Sequence, residues 1–268
     1  LPEVRARKSL AQRRFYRNGP DHGAPADVDF AFIRRRFDFR TIRIGRWVTR
    51  QEQQRAARLF HDALCDLMLI LGVPEAVISL RGSLGLHYGS GGRPGVAAHY
   101  EPGQRIFALA KNAGPGSIAH EWFHAFDHYI AQHAFAGVPA GRFASRAWLE
   151  DATAVAHPLN QCLFDCFHAI LLTPDGEAAS PLVRRSLAAD RAQGGLYFSL
   201  PEEVCARAFE AWIQDAALKN HFLVKGTRES PEARAGLYPQ QGERELIAAA
   251  FSRYFSELGR RLSAVTAS

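Results

Sequence analysis

The 268-residue chain is short of cysteine and has no long apolar run. Its four cysteines, Cys65, Cys162, Cys166 and Cys205, form no Cys-x-x-Cys pair. Cys162 and Cys166 stand four apart among Leu163, Phe167, Ile170 and Leu171, and read as small core residues rather than a zinc pair or a disulfide. Such scattered usage suits a reducing cytoplasm. No apolar stretch approaches the roughly 20 residues that a membrane-spanning helix needs. The basic start "LPEVRARKSLAQRRFYRNGP" leads into no apolar core with a small-residue cleavage site, so no secretory signal is expected. Internal repeats and low-complexity segments are also missing. The expectation is a cytoplasmic protein that does not enter membranes.

What is present is ordinary globular composition, 47% hydrophobic and 22% charged, enough for a sizeable core. The charge is unevenly placed. Residues 1–50 hold 13 Lys and Arg against 5 Asp and Glu, net +8, whereas the remainder is net −2. The basic excess lies in "RARKSLAQRRFYR" and "FIRRRFDFRTIRIGRWVTR". It fits a nucleic acid or another polyanion as partner of residues 1–50, and it fits a solvated tail followed by a basic strand equally well. Phe37, Phe39 and Trp47, between the arginines, could stack on bases or form the inward face of that strand. The expected division is a basic arm over 1–28 and a single domain over 29–268.

Periodicity orders the rest. "FIRRRFDFRTIRIGRWV" alternates and predicts a strand. Thr49 caps a long amphipathic helix that Gly72 and Pro74 stop. "VISLRG", "LGLHYG", "GVAAHYE" and "QRIFALA" read as short strands, with turns at "GSGGRPG" and "EPGQ". After Gly114-Pro115-Gly116 a histidine-rich helix begins near Ser117. Further helices are predicted over 158–172, 181–193, 201–219 and 239–263. Strands first and helices afterwards argue for an α+β fold, with a small, mostly antiparallel sheet and a helical C-terminal half.

The stretch "SIAHEWFHAFDHYIAQHAF" carries His120, His124, His128 and His133. Residues four apart on a helix share a face and lie about 6 Å apart along its axis. The imidazoles of His120 and His124 can therefore converge on one ion. Glu121 follows the first of them, placed to take a proton from a water that zinc has acidified. His128 stands eight residues after His120, about 12 Å along the axis, too far for zinc–nitrogen bonds of about 2.0–2.1 Å. Another class of zinc protease turns the chain with a glycine three residues after the second histidine and takes its third histidine six after it. Asp127 and Ile130 occupy those positions, so neither His128 nor His133 is expected as a ligand. Asp127, one turn from His124, is a candidate acceptor for a ligand imidazole.

A catalytic zinc needs a third protein ligand, and "YFSLPEEVCARAFEAWIQD" offers Glu202, Glu203 and Glu210. Ser199-x-x-Glu202 reads as a capping box with Pro201 in the first turn. Glu203 and Glu210 lie seven apart on one face, and spacing does not choose between them.

"AHEWFHAFDHY" followed by "YFSLPEEVCARAFEAW" resembles the zincin metalloproteases of the anthrax-lethal-factor type. It resembles still more closely a zincin-like domain of bacterial chains and large polyvalent phage proteins. The resemblance covers roughly residues 77–263 and includes the hairpin that leads into the metal helix. It implies a zinc metallopeptidase in which His120, His124 and Glu203 bind one Zn2+ and Glu121 is the general base. It also implies that Tyr197 assists the oxyanion, although its spacing to Glu203 is about one residue shorter than the pattern. Arg207 stands where the lethal-factor type has an acidic residue, so the surroundings of the third ligand differ. In zincins the edge strand of the hairpin pairs with an extended peptide, which would bring His99 and Tyr100 near the cleft. Two alternatives accompany this reading. One is a catalytically silent zinc-binding module, and the other is a protease directed to nucleic acid by its basic arm.

Overall fold

The computed structural model describes residues 13–90, 98–110 and 116–266. Residues 1–12 of the basic arm, most of the "GSGGRPG" turn, the start of "GVAAHYE" and Gly114-Pro115 lie outside the described residues. The elements run α1 (Phe30–Phe37), β1 (Thr41–Ile44), α2 (Arg50–Leu71), α3 (Glu75–Ile78), β2 (Gly85–Tyr88), β3 (Ala98–Glu101) and β4 (Ile106–Leu109). Then follow α4 (Ile118–Ala134), α5 (Ala144–Leu149), α6 (Pro158–Leu171), α7 (Pro181–Gln193), α8 (Pro201–Asp215), α9 (Pro231–Arg234) and α10 (Gln241–Thr266). The fold is α+β, with about half of the chain helical.

The sheet has the order β1-β2-β4-β3 and is mixed, not mostly antiparallel. β1–β2 and β2–β4 pair parallel, and only β3–β4 pair antiparallel. The cause is connectivity. β1 reaches β2 through the 22-residue helix α2, and a crossover of that length returns the chain in the same direction. Only β3 and β4 are joined by a tight turn, over 102–105. β3 is thereby an edge strand, as the hairpin reading requires.

Two segments read as strands are helical at their start. In "FIRRRFDFRTIRIGRWV" the carboxylate of Asp29 accepts from Phe32 N at 2.7 Å and nucleates α1. Phe30, Ile33 and Phe37 then bury one face of that helix, and the strand is confined to Thr41–Ile44. Phe37 and Phe39 are core residues, whereas Trp47 is 86% exposed. In "VISLRG" the single turn α3 follows Pro74 and buries Val77 and Ile78. Leu80 and Arg81 then take left-handed backbone angles, which end any extended run.

The other helices follow the sequence closely. Thr49 and Glu52 form a reciprocal capping box at the start of α2, and Gly72 closes that helix with φ of 64°. α4 runs between the sheet and the later helices. Its Trp122, Phe123 and Phe126 pack on Phe209 of α8 and on Phe251 and Phe255 of α10. Each such fully buried aromatic contributes about 1.5–3 kcal/mol. The indole of Trp122 is satisfied as well, donating to Ile78 O at 2.9 Å. α4 is thus fixed from behind, and its opposite face is left for chemistry.

Residues 13–22 lie along the body. Phe15 meets Phe222 edge-on at 5.2 Å, and Arg17 pairs antiparallel with Asn220. Among the described residues no helix is long and apolar enough to cross a membrane.

Candidate metal centre

α4 begins without a side-chain cap. A loop meets its start instead: Ala119 N of the first turn donates to Leu223 O at 3.1 Å, and Gly116 N, just before the cap, to Phe222 O at 3.3 Å. Asn220 shapes that loop by accepting from Phe222 N and Leu223 N. Gly116 carries φ of 96°, and a Cβ there would lie 2.5 Å from Lys225 N. The loop and the helix start therefore touch backbone to backbone.

One turn further on, the Nε2 atoms of His120 and His124 face each other at 3.0 Å. The Glu203 carboxylate of α8 lies 3.4 Å from His120 Nε2 and 3.3 Å from His124 Nε2. Four ligands at about 2.05 Å around a tetrahedral ion stand about 3.3 Å apart, so this triangle has the size that one zinc requires. The donor set, two imidazole nitrogens and one carboxylate, is of the catalytic kind. Buried Glu203 Oε2 has no hydrogen-bond partner. Among the described residues these three are the ones whose ligand atoms gather within 4.8 Å.

The electrostatics fit a cation. Burial alone would push the His120 imidazole down, but the carboxylates of Glu210, Glu203 and Glu121 hold it well above its ordinary value. Burial would raise Glu203, and the two histidines hold it well below the carboxylate range. Glu121 is raised by burial, with the histidines opposing.

Several sequence expectations are corrected here. Asp127 does not support a ligand histidine. Its carboxylate accepts from Ser145 N at 2.8 Å and Ser145 Oγ at 2.6 Å. The reason lies in α5, whose cap residue Phe143 supplies no side-chain acceptor. Asp127 caps that helix from α4. Burial still pushes its carboxyl up to about 6 against those two bonds. The acceptor beside His120 is Glu210, whose Oε2 accepts hydrogen bonds from His120 Nδ1 at 2.9 Å and from the Tyr238 hydroxyl at 3.1 Å. Helix arithmetic already separates the two glutamates. Seven residues of α8 place them about 10.5 Å apart, too far to share one ion. His124 Nδ1 is buried with no such partner.

The Ser199-x-x-Glu202 capping box does not form. α8 starts at a Leu200 cap without a side-chain bond. Ser199 Oγ donates to Asp190 at 2.6 Å instead, and Glu202 pairs with Arg146 at 2.8 Å. Asp190 also accepts from the N–H groups of Tyr197, Phe198 and Ser199. It therefore sets the loop that carries Tyr197. Sequence reading missed this role, as it missed Tyr238, because each depends on partners in separate elements.

Tyr197 is half-exposed and lines the cavities on both sides of the triad. Burial first, and Glu203 second, push its phenol up, so it stays protonated. Arg207 lies 3.6 Å from Glu203 Oε2 and donates to the carbonyls of Leu237 and Phe198. It holds Glu203 and two loops together. The larger of the flanking cavities measures about 500 Å³ and is lined by His99 and Tyr100 of β3, by Phe143 and by the triad. The Tyr100 hydroxyl donates to His128 Nδ1 at 2.7 Å, and His128 Nε2 donates to Ala140 O at 2.6 Å. His128 is thus a packed structural histidine, and His133 is exposed beside Tyr129. The structure brings together all the expected site residues except Asp127, whose carboxylate is turned to α5.

Comparison with known proteins adds one relationship. Residues 189–262 match the family model of the large polyvalent protein-associated domain 1. That span holds Tyr197, Glu203, Arg207, Glu210 and Tyr238, and it leaves out α4 and the sheet. No curated protein matches the chain, and no solved structure does.

Proposed function

We propose that the chain is a zinc-dependent metallopeptidase with a zincin-like arrangement of α4, α8 and the edge strand β3. The observation that carries this reading is the 3.0–3.4 Å triangle of His120, His124 and Glu203, with Glu121 one residue from the first ligand. The family match over 189–262 agrees with the likeness to large polyvalent proteins.

His120 and His124 through Nε2, and Glu203 through its carboxylate, would hold the ion. Zinc so bound supplies Lewis acidity and brings a water toward a pKa of about 7. Glu121 is the chain's own base. Its raised affinity for protons, from burial beside the histidines, suits a group that takes a proton from water and returns it to the leaving amine. Tyr197, protonated and half-exposed, can donate a hydrogen bond to the oxygen that gains charge at the scissile carbonyl. Glu210 fixes the His120 tautomer, presenting Nε2 to the ion. β3 offers an open edge to an extended peptide, beside a cavity that contains the triad.

Metal content and turnover test the proposal together. Purified chain should carry one zinc per molecule, His124→Ala and Glu203→Ala should lose it, and Glu121→Gln should keep it while losing peptidase activity by roughly 10²–10⁴-fold. Full zinc in Glu203→Ala would refute the ligand set. Activity unchanged in Glu121→Gln would refute the mechanism and leave a zinc-binding module.

A further inference from the structure

The structure concentrates unneutralised positive charge at the sheet edge remote from the candidate metal centre. Residues 30–50 carry seven arginines and one acidic residue, Asp38. Arg36 is spent on Glu75, and Arg34 and Arg40 turn to backbone carbonyls. Arg35, Arg43, Arg46 and Arg50 are exposed and make no ion pair among the described residues. β1 is the outer strand of the sheet on this side. Arg43 lies within β1, Arg40 immediately precedes it, and Arg46 stands in the turn that follows it. Arg43 stands in register with His87 of β2. Burial pushes the His87 imidazole down, and the charges of Arg43 and Arg40 push it further. Trp47, 86% exposed, lies between Arg46 and Arg50.

A cluster of exposed arginines on β1 and its flanks, with little acidic counter-charge and one exposed indole beside it, has the two chemical parts of a single-strand binding surface. Guanidinium groups track phosphates, and an aromatic face stacks on a base whatever its identity. We propose that this edge, with Arg35, Arg43, Arg46, Arg50 and Trp47 at its centre, binds the backbone and one base of single-stranded nucleic acid. The surface needs neither the metal nor the metallopeptidase reading. It places the polyanion on the folded domain rather than on the first residues of the chain.

The test uses the full chain and a labelled oligothymidine of about 20 nucleotides, enough to fill an ordinary site. Affinity should fall with salt between about 50 and 200 mM with a log–log slope of roughly −2 to −3.5, from three to five phosphates neutralised. Replacing Arg43, Arg46 and Arg50 together by alanine should reduce that slope by about 2. Trp47→Ala should weaken binding about 5- to 100-fold with the slope unchanged. These side chains are exposed, and circular dichroism with a melting curve confirms that the variants fold. Glu121→Gln should bind as wild type, which separates this surface from the metal site. Binding that ignores salt, or a triple variant that binds as wild type, would overturn the proposal. So would loss of the whole slope on replacing Arg5, Arg7 and Lys8, since the site would then be the arm. Competition by polyglutamate as effective as the oligonucleotide at equal charge would mark a generic polyanion surface and reject nucleic acid. Tighter binding to the corresponding duplex would reject the single-stranded form.

Discussion

Replacing Glu210 by alanine should weaken zinc binding without removing a ligand. Glu210 Oε2 lies 2.9 Å from His120 Nδ1, and the residue is 5% exposed. A buried hydrogen bond to a charged acceptor is worth about 1.5–3 kcal/mol, which converts to roughly 10- to 100-fold in affinity. Loss of an outer acceptor on a metal-ligating histidine falls in the same range, about 10- to 100-fold. Glu210→Gln keeps an oxygen acceptor and loses only the charge, so it should sit nearer to the wild type than Glu210→Ala. Tyr238→Phe removes the second donor to the same oxygen, at 3.1 Å, and should cost only about 2- to 10-fold. Competition of each protein with a chelator of known affinity gives the zinc dissociation constants directly. The order of affinity should be wild type, Tyr238→Phe, Glu210→Gln, Glu210→Ala, and last Glu203→Ala, which loses a first ligand. Zinc affinity unchanged in Glu210→Ala would show that the carboxylate does not orient His120. A larger loss in Glu210→Ala than in Glu203→Ala would exchange the roles of the two glutamates.

Three further perturbations probe the frame around the centre. Asp127→Ala strips the acceptor from Ser145 N and Oγ and should destabilise the fold by about 1–3 kcal/mol in denaturant unfolding, with less than a tenfold change in zinc affinity. A tenfold or greater loss of zinc would return Asp127 to the ligand histidines. Burial would raise the Asp190 carboxyl, but the bonds from Ser199 Oγ and from the N–H groups of Tyr197, Phe198 and Ser199 prevail and hold it at about 2. A carboxylate lowered on folding stabilises fully above its unfolded value of about 3.9, and that contribution fades as pH falls from about 4 through 2. The stability difference between wild type and Asp190→Asn should therefore shrink over that interval, and a difference constant from pH 7 to pH 2 would contradict the assignment. Gly116→Ala forces a Cβ into a φ of 96° and to within 2.5 Å of Lys225 N, so unfolding should become easier by about 1–3 kcal/mol. A neutral effect would mean that the contact between loop and helix is slack.

What could be read from the sequence was local. His120, His124 and Glu121 need only one helix and its rise to be placed, and the same holds for Thr49 and Gly72 around α2. The choice of Glu203 over Glu210 needed the resemblance, because seven residues of one helix leave both on a single face. The partners of Asp127 and Ser199 were misjudged for one common reason. Each has a sequence neighbour that would satisfy it, yet each is taken by a residue of another element, Ser145 for Asp127 and Asp190 for Ser199. A capping pattern states which bonds are available and leaves open the competitors that folding brings near. The sheet was misjudged likewise. Four short strands carry no sign of their order, and the parallel pairings follow from where α2 returns the chain.

The same competition explains how a basic segment comes to support α4. Asp66 of α2 is fully buried and would be costly alone, since an unpaired carboxylate in the interior loses its hydration. Arg17 meets it with two bonds of 2.6 and 2.7 Å, His22 with one of 2.7 Å and Asn220 with one of 2.8 Å. Asn220 in turn fixes the loop whose carbonyls at Phe222 and Leu223 receive Gly116 N, just before α4, and Ala119 N in its first turn. Removing one partner from such a buried group costs about 3–5 kcal/mol, far more than a surface ion pair. The charge of residues 13–22 is thus partly a structural device, tying the chain's beginning to the start of α4. Among the described residues the arginines of 30–50 pair with no buried acid, and the one ion pair they make, Arg36 with Glu75, is partly exposed. One net-positive segment therefore divides into two parts of different use. In the first Arg17 is neutralised inside the fold, and in the second Arg35, Arg43, Arg46 and Arg50 face water with no ion pair among the described residues.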